Sequence, residues 1–252
     1  MLAAGDTVWN AHDASGARHG FWRAFYDNGR LKYRGEFSHG RAVGRTTRYA
    51  ATGELKSVMD YEPDGHACRV VIYDALGRVQ GRGAYYDKHK DGKWQYFSGP
   101  MLVREEGWHR GKKHGKFVEY QDNGHMGSVG SWRNGEMDGP QEQYYGNGAL
   151  RMRWEMKRGL EQGPSVTYYP SGAVRLRGQF RDGKRDGVWR FYTLRGEVER
   201  ELEYRKGALV RGDRGEQLDS VLRALMDNKG KIPEPMPGGE RAVPRNGREG
   251  RF

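Results

Sequence analysis

The stretch Gly163-Pro-Ser-Val-Thr-Tyr168-Tyr-Pro-Ser-Gly172-Ala-Val174-Arg-Leu176-Arg-Gly178-Gln-Phe180-Arg-Asp-Gly183-Lys-Arg-Asp-Gly187 decides the fold. Val174, Leu176, Gly178 and Phe180 alternate with polar residues, the period of two that marks a strand with one buried face. The shorter segment ending at Tyr168 is a second, aromatic strand, and Pro-Ser-Gly172 between them is a tight turn. Gly183-Lys-Arg-Asp-Gly187 turns the chain back towards the next copy. One unit is therefore strand, turn, strand, turn.

The unit recurs along the chain. An aromatic residue stands at Phe25, Tyr49, Tyr73, Phe97, Tyr120, Tyr144, Tyr168 and Tyr192, at intervals of 24 residues with a single interval of 23. Five residues earlier stand Gly20, Gly44, Cys68, Gly92, Gly115, Gly139, Gly163 and Gly187, so only the third copy lacks the opening glycine. A second glycine series runs from Gly29 to Gly196, and an aliphatic series from Leu31 to Val198 follows it. Self-similarity at this period identifies a repeat architecture. An isolated hairpin is marginal, so neighbouring copies must pack on one another, and stability then comes from nearest-neighbour contacts. The expected fold is all-β, an elongated antiparallel meander of about eight 24-residue hairpins over residues 20–210. Copies three and four depart from the pattern at Cys68, Lys88 and Ser98-Gly-Pro100, candidate bends or irregular loops that simple sequence drift also explains.

Outside the array, residues 1–19 form a cap or half repeat around Thr7-Val-Trp9. Leu218, Val221, Leu222, Leu225 and Met226 follow helical spacing, so an amphipathic helix is expected over residues 211–230. Asp213 is a candidate start for it and Gly230 a candidate end. The basic, Pro/Gly-rich residues 231–252 carry the composition of a disordered tail.

Composition agrees with this division. Hydrophobic residues are 35% of the 252, too few for one large closed core, whereas aromatics at 12% argue that the middle of the chain folds. The net charge of +11 permits an acidic protein, anionic lipid or nucleic acid as partner, and equally describes an ordinary solvated surface. The single cysteine excludes an internal disulfide and a cysteine-rich zinc site. No run of 18 apolar residues is present, so no transmembrane helix is expected. Met1-Leu-Ala-Ala-Gly5 is too short for a signal peptide; it reads as the end of one or as a bare N-terminus, and localisation stays open.

Gly-x-Trp-x-x-Tyr, then Asn-Gly-x-Leu, then Tyr-x-x-Gly-x-x-x-Gly, as between Gly20 and Gly44 or from Gly187 to Gly207, resembles the bacterial MORN-repeat variant family over residues 20–210. The resemblance implies an interaction scaffold without catalytic residues. Some members of that family are described as antitoxins of toxin–antitoxin pairs, and many bacterial members are exported or anchored at the envelope. MORN repeats elsewhere are linked to anionic lipid and to dimerisation.

The residues themselves show no catalytic motif: GxSxG, HExxH and Walker sequences are absent. His109 and His114 flank one return turn but lack a third ligand, so no metal and no cofactor are expected. Asp182-Gly-Lys-Arg-Asp186 lacks the ligand spacing of a calcium loop and reads as a return turn. Glu105-Glu106 and Glu199-Arg-Glu201 read as solvated strand faces, and Cys68 as a buried thiol. Arg30-Leu-Lys-Tyr-Arg34 places basic residues outward, yet nucleic acid is disfavoured because most aromatics are needed for packing. The expected function is a non-catalytic protein-interaction scaffold, with another protein as partner. The alternative is an envelope-associated structural protein that binds an anionic lipid, glycan or other acidic surface. The candidate contact residues are aromatics of the first strand series, Trp22, Trp94 and Trp189, for which the repeat core is the plainer reading, followed by Leu222 and Met226.

Overall fold

The computed structural model describes residues 8–212, and everything below concerns those residues. They form one open sheet of eighteen strands and, among the described residues, no helix. The strands are β1 (Gly20–Phe25), β2 (Leu31–Ser38), β3 (Arg41–Tyr49), β4 (Leu55–Tyr61), β5 (Ala67–Tyr73), β6 (Val79–Tyr86), β7 (His89–Ser98), β8 (Met101–His109) and β9 (Lys112–Tyr120). There follow β10 (Met126–Arg133), β11 (Glu136–Met137), β12 (Gly139–Tyr144), β13 (Leu150–Lys157), β14 (Leu160–Tyr168), β15 (Val174–Arg181), β16 (Lys184–Tyr192), β17 (Val198–Arg205) and β18 (Ala208–Arg211). Each strand pairs antiparallel with its neighbours in sequence except β11 and β12, which both pair with β10. Trp9 and His12 make isolated bridges to Phe21 and Arg18, so part of the expected N-terminal cap lies against the first strand. The helix and tail expected beyond Arg211 fall on residues 213–252, outside the described residues. No helix among the described residues is long and apolar enough to cross a membrane.

The register shifts just before the recurring aromatic in hairpin after hairpin, at Ala24/Phe25, Ile72/Tyr73, Thr167/Tyr168 and Phe191/Tyr192. A bulge there bends and twists the strand. It also breaks the alternation, so these aromatics leave the face that the preceding residues share.

Two sets of rungs lock successive hairpins together. At the return turns, the turn glycine donates its N–H to a carbonyl of the preceding hairpin: Gly40 to Arg18, Gly111 to Lys90, Gly135 to Lys113, Gly159 to Met137, Gly183 to Glu161 and Gly207 to Arg185, at 2.8–2.9 Å. At the opposite rim a phenol bridges the same step: Tyr26, Tyr145 and Tyr169 donate to the carbonyls of Tyr49, Tyr168 and Tyr192 at 2.7–2.9 Å.

The packed face of the sheet is built as a row of cross-strand partners that alternates large and small. Trp189 lies over Gly178, where an added Cβ would meet the indole ring at 2.1 Å, and Trp94 lies over Gly83 in the same way at 2.4 Å. Phe180 and Tyr204 flank Trp189 edge-on at 5.0 and 6.4 Å, and Tyr85 flanks Trp94 at 5.1 Å. Two apolar clusters result. One holds Leu176, Phe180, Trp189, Phe191, Leu202 and Tyr204; the other is built on Val70, Trp94 and Tyr96.

The candidate bends in copies three and four are regular strand pairs and turns, as simple drift in sequence would leave them. Cys68 is buried, and β4 and β5 pair through it without a shift. Asp87 and Lys88 take positive φ themselves (46° and 68°), and the rung survives as Asp87 N–H to the His66 carbonyl at 2.8 Å. Gly99-Pro100 closes a two-residue turn between β7 and β8. The strand break is instead at Asp138, between β11 and β12, in a copy whose sequence looks regular.

Candidate functional site

The break at Asp138 adjoins a large interruption of the packed face. Asp138 donates its N–H back to the Ser131 carbonyl at 3.1 Å, and Ser131 Oγ donates to the Asp138 carbonyl. At the row position that holds Trp94 and Trp189 elsewhere, β12 offers Gln141 and β14 offers Ser165. The smaller side chains leave a hollow of about 480 Å³ between the two apolar clusters. Its apolar walls are Phe117, Trp132, Met137, Trp154 and Met156, and its polar lining includes Arg104, Glu106, Lys113, Glu119, Gln141, Gln143 and Glu161. A wider depression of about 690 Å³ lies beside it at the return-turn rim, among Arg133, Glu136, Asp138, Lys157 and Arg158. That depression is more open and lacks aromatic walls, so the hollow is the better-formed site.

The floor of the hollow is a compensated ionic layer. Arg104 and Glu119, directly opposite each other on β8 and β9, pair at 3.0 Å and are both almost buried. Glu106 is 2% exposed. It accepts from the Tyr96 hydroxyl at 2.8 Å and Trp108 Nε1 at 2.9 Å, with the Lys113 ammonium 3.3 Å away. The expectation of a solvated Glu106 is thereby corrected: it faces the packed side, and burying a carboxylate demands such partners. Its neighbour Glu105 points the other way and pairs with Lys93 at 2.7 Å. Gln141, 1% exposed, donates to the Ser131 and Gly139 carbonyls at 3.3 and 3.2 Å, while its Oε1 has no donor among the described residues. On the rim of the hollow, the Tyr144 hydroxyl, and after it Arg153, hold the Glu142 carboxyl below its ordinary range against the opposing effect of burial. Burial and the same carboxylate push the Tyr144 phenol up to about 12.

The aromatics offered as candidate contacts are not exposed. Trp94 and Trp189 are 1% and 3% exposed and hold the sheet together. Trp22 is half-buried, donates to the Ala11 carbonyl at 2.9 Å and packs edge-on to Phe37. The glycines opposite draw the tryptophans down onto the sheet, which spacing alone does not reveal. Leu222 and Met226 lie outside the described residues.

The rungs also explain the histidines. Along the return-turn rim, the residue before the opening glycine accepts from the N–H about 20 residues on: Asp91 from Arg110, Gln162 from Asp182 and Asp186 from Lys206. Applied to His19, that offset points to His39, and the rings lie 5.4 Å apart with Asp13 Oδ2 2.8 Å from His39 Nδ1. Ser15 Oγ and N–H and the Ala17 N–H hold the other Asp13 oxygen at 2.6–3.0 Å, keeping the carboxyl well below its usual range. Ligand atoms of Asp13, His19 and His39 fall within 4.8 Å of one another. Tetrahedral zinc with bonds of about 2.1 Å would draw them to roughly 3.4 Å, so the trio as it stands is a hydrogen-bonded clamp on the N-terminal segment. His109 pairs with Asp91 at 3.2 Å beside His114.

No protein-family model matches the chain, and no curated protein matches it. Among solved structures it aligns with one described as "Crystal Structure of TcdB2-TccC3-Cdc42", at 10% identity and a TM-score of 0.16. The match covers 75% of this chain and 15% of that one. A likeness at that level carries no argument about fold or function.

Proposed function

We propose that the chain is a non-catalytic protein-binding scaffold built from MORN-like hairpin copies, and that its partner seats on the packed face at the hollow between β8 and β14. The hollow itself carries the reading. It is a concave, aromatic-walled site with a few fixed polar groups, the pattern of a binding pocket. It interrupts a face that tryptophans close on both sides. The carboxylates that line it are tied up in ion pairs and hydrogen bonds, which suits recognition. An antitoxin-type binder, which occludes its target, is the form of this function that the family resemblance suggests.

The test is affinity capture from the host lysate at low and high salt, with the wild-type chain and with Trp132→Ala. One protein retained at high salt by the wild type and lost from Trp132→Ala is the expected result. Material that elutes with moderate salt from both, as charge-driven surface binding does, overturns the proposal and favours the acidic-surface alternative.

A further inference from the structure

Three side chains of metal-binding type, Asp13, His19 and His39, meet at the N-terminal end of the array, and each starts from a backbone already fixed. Asp13 opens a tight turn in which its N–H donates to the Ala17 carbonyl at 2.8 Å and its carbonyl accepts from Gly16 at 2.9 Å. His19, just before the opening glycine of β1, donates its N–H to the Ala11 carbonyl at 3.0 Å. His39 holds φ at 46° in the turn between β2 and β3, beside the rung from Gly40 to Arg18. Three separate segments thus bring their donors to one place, and only side-chain torsions remain to be adjusted.

The Asp13 carboxylate is divided between two tasks. Its Oδ1 accepts from Ser15 N–H, Ser15 Oγ and Ala17 N–H at 2.9, 2.6 and 3.0 Å. Its Oδ2 is left to face His39 Nδ1 at 2.8 Å. A ligating carboxylate is ordinarily supported in this way, by donors behind it that orient the ligand. The His39 side chain is 78% exposed, so its ring is free to turn. Moving from the present spread of up to 4.8 Å to the roughly 3.4 Å of a tetrahedral site is a change of side-chain torsions. The same residue types recur at Asp91, His109 and His114. There the rings lie 6.0 Å apart, and the Asp91 oxygen that faces His109 already accepts the Arg110 N–H. Among the described residues, only the Asp13 set brings three such ligand atoms within 4.8 Å of one another.

We propose that Asp13, His19 and His39 bind a zinc ion, with water completing the coordination, and that the ion staples the N-terminal segment to the first hairpin. Two imidazoles and one carboxylate suit zinc, whereas magnesium and calcium take oxygen ligands. The segment held in place lies along the free edge of β1: Asn10 donates its N–H to the Phe21 carbonyl at 2.8 Å, and its Oδ1 accepts the Arg23 N–H at 2.9 Å. An uncovered edge is a template for pairing with another chain, so zinc closes the end of the sheet that no further hairpin covers. The site is separate from the hollow and independent of the scaffold reading.

The test is an isothermal calorimetric titration of the full chain, without a polyhistidine tag and stripped of metal with EDTA, against zinc chloride. Saturable binding of one equivalent is expected, with a melting temperature that rises with zinc and falls back when EDTA is added. Magnesium and calcium chloride at the same concentrations should do neither. His19→Gln and His39→Gln should each abolish the one-equivalent binding. Ser15→Ala removes only a donor behind the carboxylate and should weaken it about tenfold. His114→Gln, which alters the other set, should leave the titration unchanged. Melting of the metal-free variants confirms that each is folded. Absence of saturable zinc binding in the wild type, binding that survives His39→Gln, or binding lost in His114→Gln overturns the proposal and leaves the trio a hydrogen-bonded clamp alone.

Discussion

The hairpins from β15 to β18 and those from β10 to β14 share a backbone plan and differ in what fills it. In the first region Trp189 lies over Gly178, Leu202 is fully buried beside it, and Arg185 covers the rings. In the second, Gln141 and Ser165 stand in the tryptophan row and Met137 and Glu161 in the column of Arg185, and a hollow opens. The rungs of Gly159, Gly183 and Gly207 are alike across both regions. Backbone hydrogen bonds therefore set the frame, and the packed row decides whether a hairpin closes on itself or leaves a hollow. In a one-layer repeat sheet, a hollow is made by withholding packing residues from one or two copies.

The comparison can be broken most severely at the closed end. Trp189→Ala removes the centre of the apolar cluster and should cost about 3–5 kcal/mol in denaturant unfolding. Should Gln141→Ala, its row equivalent in the open region, cost as much, the contrast between the regions is unfounded. Next in size, Gly178→Ala pushes a methyl into the Trp189 ring and should cost about 1–3 kcal/mol. Gly130→Ala drives a methyl into the buried Gln141 amide and the Phe117 ring, at 1.9 and 2.7 Å, and should cost a similar amount. Tyr169→Phe deletes one rung common to the frame and should cost about 0.5–1.5 kcal/mol, with Tyr145→Phe the same at the open region. A large difference between those two would show that the frame is not uniform.

The smallest effect is in pH. The Glu142 carboxyl is depressed in the fold, so its contribution is present above the usual carboxylate range and is lost as pH falls through its lowered value. The Tyr144 phenol is raised to about 12, so the fold holds its proton longer than the unfolded chain does, and stability declines as pH rises from the ordinary value of 10 towards 12. Tyr144→Phe should flatten both limbs of a melting-temperature profile; an unchanged profile would place the titration elsewhere.

Much of this architecture is legible in the sequence, because period-two strands and turn glycines at a fixed interval leave few alternatives to an antiparallel meander. The 24-residue columns even contain the rungs, since Tyr26, Tyr145 and Tyr169 share a phase. The site was not legible. Trp94 and Trp189 fit either the repeat core or a contact face, because spacing says nothing about the glycine opposite, and that glycine is what buries them. Gln141, Met137 and Glu161 read as tolerable variation, since each fits a strand; their meaning lies in what their counterparts do in other copies. Asp138 breaks its strand within a return turn that matches its neighbours, through a local bond to Ser131 that no column encodes.

The strand order has a mechanical consequence. Strands pair only with near neighbours in sequence, so tension applied between Val8 and Gly212 does not load many strand pairs in parallel. The bonds between antiparallel strands run perpendicular to them, and a pull on the chain opens them singly from each end, like a zipper. Trp9 at one end and β18 at the other take the load first. The hairpins packed around Trp94 and Trp189 resist in turn, and those around the hollow give way at lower force.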